Sequence, residues 1–437
     1  MVTRNTLAAL AALFVGSIAP AMAQSGASKT QAFEVNGIHV IMCPAYNQIV
    51  SVVVGLEGGF ASNETTNPAL ADFTADIVTS SGTTKFSQDM IRRITSETST
   101  NLTGNGDYRG VTFNLTTTRP NFDRVWDVFA SMINGPQYDE QEFKNQMQRR
   151  VVDIKRRWAN PEAYASIISD SLVKLGNPVL GRTIQQSDVE AVTVAAMRDY
   201  MKRISERSRM LVVVVGNVSA DEVKAKLGQF ASLPMGAYKR PPLPPVPSAP
   251  APKTELVDRQ SPTTYVISSF AGPRITEQDY WPLQVGLSHL RNVLFEELRT
   301  KRNLTYAPGA QLSSTLGQSR GSVSVSSTLP DSCIPIMYNE LRRMKQGNFD
   351  ESDLNDSKQV FITAYYMRQM TNDGTANAIY AAERNAGDWH LAYSFDAINA
   401  VNKAAVKAAF AKYAKNLQVG IVGKKSGVTE PKYIFTE

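Results

Sequence analysis

The chain has 437 residues, 43% hydrophobic and 20% charged, which is ordinary globular usage and excludes disordered and collagen-like architectures. At roughly 100–200 residues per domain, the length allows two to four domains. A net charge of +6 over this length is no nucleic-acid signature. The two cysteines, Cys43 and Cys333, stand far apart, which excludes a disulfide scaffold and any multi-cysteine metal site. Only three histidines are present: His39, His289 and His390.

Arg4 precedes an apolar run over 7–18, broken by Pro20 and followed by Ala21-Met22-Ala23. This reads as a signal peptide over 1–23, cut before Gln24. The run is shorter than the about 20 residues that span a bilayer. No later run approaches that length. The mature protein is expected to be exported, to a periplasm, with no membrane span.

Segments 38–42 and 49–55 read as strands, the second closed by Gly58-Gly59. Segment 67–79 reads as a helix, with Ala69, Leu70, Phe73 and Ile77 at helical spacing. Segment 111–115 alternates and is a strand. Residues 121–133 form an amphipathic helix, stopped by Gly135-Pro136, and 143–158 a long basic one. A helix through Tyr200 leads into a buried strand over 210–215, ending in Gly216. Late in the chain, a helix through Tyr413 leads into a strand over 417–422, ending in Gly423. Between these copies the Pro-rich stretch 234–253 can pack as neither helix nor sheet and reads as a linker. The expected fold is α+β: two related halves, 24–233 and 254–437, each an antiparallel sheet with helices packed on one face.

Catalytic signatures are scarce. His289 and His390 have no His, Glu or Cys at helical spacing; Cys43 follows His39 by four, but His39 lies in a strand, and no HExxH or HxxEH string occurs. Each histidine is read as packed or at the surface. Gly317-Gln318-Ser319-Arg320-Gly321 matches G-x-S-x-G, but an alternating strand follows where a nucleophile elbow needs a helix, so it is a hairpin turn. Ser171-Leu172-Val173-Lys174 has no companion motif. Phosphate-binding and dinucleotide glycine patterns do not occur.

The stretch from Leu294 to Tyr306, LFEELRTKRNLTY, resembles the pitrilysin/insulinase peptidases, with their Arg-x6-Tyr spacing kept and Asn303 at the usual glycine. Gly58-Gly59, the run from Ala69 to Thr83, Pro136-Gln137-Tyr138 and the strand ending in Gly216 follow the family order. The resemblance covers nearly all of the mature chain. It implies an inverted-zincin fold whose active members carry HxxEH on the first-half helix and a later Glu. Here that helix reads Asp72-Phe73-Thr74-Ala75-Asp76. Asp72 and Asp76 then occupy the histidine positions and Ala75 that of the general base. Asp153 falls near the later Glu. Alanine cannot take a proton from water, and with three unclustered histidines besides, no metal and no cleavage are expected of this chain alone.

The resemblance further implies a zinc-free subunit of a two-chain peptidase, whose partner is a homologous zinc-bearing HxxEH chain. Arg299 and Tyr306 are the expected contributors in trans. Arg299 offers a fixed cation and a fork of donors, and Tyr306 a phenolic donor, for the oxyanion that forms as water attacks. The turn through Asn303 is expected to bring the two side chains together. Peptide is expected along an edge strand at Leu102, Thr103, Gly104 and Asn105, by strand addition. Two other readings stand beside this one. One is a structural or binding protein with no role in proteolysis. The other is a self-sufficient hydrolase with an unrecognised site.

Overall fold

The computed structural model describes residues 29–175, 177, 179–242 and 248–436. The signal segment 1–23 and the centre of the Pro-rich stretch, 243–247, lie outside the described residues. In chain order the elements are β1 (Gln31–Val35), β2 (Ile38–Pro44), β3 (Ile49–Glu57), α1 (Leu70–Ser80), α2 (Gln88–Glu97), β4 (Asn101–Asp107) and β5 (Gly110–Thr118). Then come α3 (Phe122–Asn134), α4 (Glu140–Ala159), α5 (Pro161–Lys174), α6 (Val194–Ile204), β6 (Met210–Gly216) and α7 (Ala220–Leu227). Beyond the Pro-rich stretch lie β7 (Lys253–Asp258), β8 (Thr264–Arg274), α8 (Tyr280–Leu294), a π-helical turn (Phe295–Thr300), β9 (Gly309–Thr315) and β10 (Gln318–Ser327). The chain ends with α9 (Pro330–Gln346), α10 (Glu351–Arg368), α11 (Asn372–Ala386), α12 (Lys403–Tyr413) and β11 (Gln418–Gly423).

Two compact units form. Among the described residues, the first takes those within 29–152, 184–242 and 365–395, and the second those within 153–183, 248–364 and 396–436. Each therefore takes a segment from across the Pro-rich stretch: α11 belongs to the first unit and α5 to the second.

In the first unit, six strands run in the order β1-β2-β6-β3-β5-β4. All neighbours are antiparallel except β2 and β6, which are parallel. Alternate β3 residues Val50, Val52, Val54 and Leu56 face a core built with Phe73 and Ile77 of α1 and Phe122, Trp126 and Phe129 of α3. The opposite face is covered as well. Val53 of β3 and Val213 of β6 pack with Ile379 and Tyr380 of α11. The expectation of helices on one face thus gains a helix on the other. The reason is visible in β6, where all seven residues are buried. A strand apolar on both sides needs cover on both.

In the second unit, five strands run in the order β7-β11-β8-β10-β9, with β7 and β11 parallel. Matched strand for strand, this repeats β2-β6-β3-β5-β4. The two halves are copies of one topology, and β1 is an addition to the first. Ala165, Ile168 and Leu172 of α5 cover Ile267 of β8 and Val422 of β11. The hairpin read at Gly317 is present. Leu316 and Gly317 turn at positive φ between β9 and β10, and Ser319 is buried, its Oγ bonded to the Pro273 carbonyl at 2.5 Å.

Candidate functional site

Arg299 and Tyr306 lie in the second unit. Helix α8 buries Leu283, Leu287, Leu290 and Leu294, then widens into the π turn that anchors itself by Leu298, 0% exposed. The chain reverses at Asn303, whose φ is 50°. Only glycine and a few short polar residues adopt that conformation readily, which accounts for an asparagine where the resemblance expects glycine. Asn303 also does what glycine cannot. Its Oδ1 accepts a hydrogen bond from Arg299 Nη1 at 2.6 Å. The Arg299 guanidinium lies over the Tyr306 ring, 5.1 Å from its centroid. Thr305 Oγ1 holds the returning chain by donating to the Ser326 carbonyl at 2.7 Å. The Tyr306 side chain stands out to solvent, 78% exposed. The turn does bring the two expected residues together, stacked and accessible.

The first-unit residues that the resemblance puts at metal positions form a different structure. Asp72 and Asp76 project from one face of α1, one helical turn apart. Between them sits the Arg150 guanidinium of α4, with Nη1 on Asp72 Oδ2 and Nη2 on Asp76 Oδ2. Nη2 also reaches the Asp72 carbonyl at 3.2 Å, and the guanidinium stacks on the Phe73 ring at 5.0 Å. Burial lifts the Asp76 carboxyl above its ordinary range, more than the Arg150 charge holds it down. Burial likewise pulls on Arg150, but the two carboxylates keep its guanidinium above its ordinary value. Ala75 is fully buried. Asp153 lies one turn beyond Arg150 on α4, 69% exposed, with Arg156 at 3.9 Å. The residue of α4 that reaches Asp72 and Asp76 is therefore Arg150. Among the described residues, no three His, Cys, Asp or Glu side chains gather as a metal site.

The expected peptide edge is also in this unit. β4 is the last strand of its sheet, paired with β5 alone. Leu102, Thr103, Gly104 and Asn105 lie on it, opposite Leu115, Asn114, Phe113 and Thr112. A Cβ on Gly104 would come within 2.3 Å of the Ala75 carbonyl, and one on Gly106 within 2.2 Å of the Ala71 backbone. The glycines let α1 lie directly against the strand's face. Thr103 and Asn105 point the other way and are exposed.

The histidines are packed or superficial. His289 is buried, with Nδ1 3.0 Å from Ser357 Oγ, and burial holds its pKa down. His390 bonds Asp388 at the surface. His39 on β2 lies between Glu34 at 2.9 Å and Glu383 of α11 at 3.3 Å. Cys43 and Cys333 are both free and buried. Sequence reasoning missed Arg150 and the tether at Asn303.

Residues 191–361 match the family described as the peptidase M16 inactive domain. No curated protein matches the chain in sequence. Among solved structures, a peptidase M16 inactive domain from Pseudomonas fluorescens shares 14% identity at a TM-score of 0.81, over 91% of this chain and 98% of that one. A protease from Helicobacter pylori shares 15% at 0.78, over 90% and 99%. The periplasmic protease PqqL from Escherichia coli shares 14% at 0.74, and the likeness covers 90% of this chain but 46% of that longer one. At these identities the likeness is one of fold. No helix among the described residues is long and apolar enough to cross a membrane. The match thus places residues 191–361 with the inactive domain of the M16 peptidases, and the chain as a whole shares the fold of these solved structures.

Proposed function

We propose that this protein is an exported, periplasmic subunit of a two-chain M16 peptidase. It binds extended peptides and lends Arg299 and Tyr306 to a homologous partner that carries zinc. The observation that carries the reading is the Arg299–Tyr306 pair itself. A guanidinium and a phenol are fixed side by side by Asn303 and left accessible, with no carboxylate paired to the arginine among the described residues. Such donors are suited to charge developing on an attacked carbonyl oxygen. The partner's zinc supplies the activated water. Peptide is held on this chain by the β4 edge, where backbone pairing gives affinity with loose sequence demand.

The test is co-purification from the native host, followed by zinc analysis and peptide cleavage by the complex and by each chain alone. Zinc and cleavage are expected in the complex and absent from this chain alone. Recovery of the chain without any HxxEH partner would favour the purely structural reading. Chelator-resistant cleavage by this chain alone would favour the self-sufficient hydrolase.

A further inference from the structure

The open edge of β4 is not uniform. In an antiparallel pair, alternate residues turn their N–H and C=O groups toward the partner strand and away from it. The Gly106 N–H turns away from β5, because it is taken by Asp72 Oδ1 at 3.1 Å. By the period of two, Gly104 and Leu102 turn their groups outward as well. No group among the described residues takes those two N–H donors. The edge therefore has two open positions and then one that is capped.

The cap is held firmly. Asp72 bonds Gly106 with one oxygen and Arg150 with the other. Arg150 is itself fixed by Asp76 and by the Phe73 ring. A carboxylate accepting from a backbone N–H makes a charge-assisted bond, roughly twice as strong as that of a neutral carbonyl. A peptide carbonyl arriving at Gly106 meets a stronger acceptor already in place.

We propose that Asp72 is a strand stop: it ends peptide pairing on β4 after Gly104 and so fixes the register of the bound peptide. The proposal rests on the edge-strand reading of peptide binding. Residues that the resemblance puts at metal positions thereby become a ruler, with Arg150 as the residue that positions it.

Amide hydrogen exchange on the mature chain tests this, with an acetylated, amidated nonapeptide of alternating threonine and valine as the probe. In the free wild-type chain, Gly106 should exchange about tenfold or more slowly than Leu102 and Gly104. Asp72→Ala should abolish that difference, while Asp72→Asn, which keeps an oxygen acceptor, should retain part of it. The probe should slow Leu102 and Gly104 in the wild type and leave Gly106 unchanged. In Asp72→Ala it should slow all three. Probe protection of all three amides in the wild type overturns the stop and keeps the edge-strand reading. Fast exchange at Gly106 in the free wild type also overturns the stop. No protection of Leu102 or Gly104 in any variant overturns the edge-strand reading, and the stop with it.

Discussion

Arg150 and Arg299 sit in two copies of one topology and are used in opposite ways. Arg150 is committed: two carboxylates, a carbonyl and an aromatic face consume it, and its side chain is 20% exposed. Arg299 has one amide oxygen and the ring of an exposed tyrosine. A guanidinium locked between carboxylates is a joint. One held by a single neutral acceptor keeps donors to give. The same strand order thus frames a closed site in the first unit and an available one in the second. The difference lies in which partner each arginine finds.

The largest expected effect attacks the available side. In an assembled complex, Tyr306→Phe should lower turnover about 100- to 1,000-fold, the usual cost of one oxyanion donor, with little change in KM. Normal turnover by an assembled Arg299→Ala, Tyr306→Phe complex would erase the contrast with Arg150. Next comes the closed side. Gly106→Ala drives a methyl into the α1 backbone, within 2.2 Å. Overpacking of this kind costs about 1–3 kcal/mol or more, read as a lower midpoint in denaturant. An unchanged midpoint would show that α1 does not bear on β4 as described.

A smaller effect separates tether from turn. Asn303→Gly keeps the left-handed backbone and removes only the bond to Arg299. A net hydrogen bond to a charged group is worth about 1.5–3 kcal/mol, and less when exposed. Turnover of the complex should fall by about tenfold or less, with the Tyr306 ring resonances shifted. Unshifted resonances would leave Asn303 as a turn residue alone.

The smallest effect concerns the helix that the first unit takes from beyond the Pro-rich stretch. The hydrogen bond to Glu383 of α11, with Glu34 adding to it, raises the His39 pKa above its ordinary 6.5 against the pull of burial. Its folded value being raised, the clip acts in full below 6.5 and is lost as pH rises through the folded value. Screened at a partly exposed site, it is worth less than about 1 kcal/mol. Stability should decline slightly more between pH 6 and pH 9 in the wild type than in His39→Gln. Parallel declines would remove His39 from the account of α11.

Much of this architecture was legible from periodicity. The alternation at 111–115 became β5, and the stripe of Phe122, Trp126 and Phe129 became α3. Asn303 was readable as a turn residue from its place in the Arg-x6-Tyr stretch. Other features left no local trace. An amphipathic helix shows that it has a buried face, not which sheet it covers, so α5 and α11 could not be assigned to their sheets. Arg150 looked like one more cation on a basic helix. Only the fold brings it to Asp72 and Asp76, whose own spacing resembled a lapsed metal site. The parallel pairs β2–β6 and β7–β11 likewise depend on long-range topology, which no hydrophobic pattern encodes.

The exchange of α5 and α11 has a consequence for how the chain is made. Val53 and Val213 have their cover only when Ile379 and Tyr380 arrive. Tyr380 lies so close over Gly55 that a Cβ there would meet its hydroxyl at 2.0 Å. Synthesis runs from the N-terminus at about 5–20 residues per second. For many seconds the first sheet must therefore wait with an oily face uncovered. Contacts that distant in sequence also fold slowly. A nascent chain halted at the Pro-rich stretch would be a ready client for chaperones, and the two halves, expressed as separate polypeptides, should each aggregate until they are mixed.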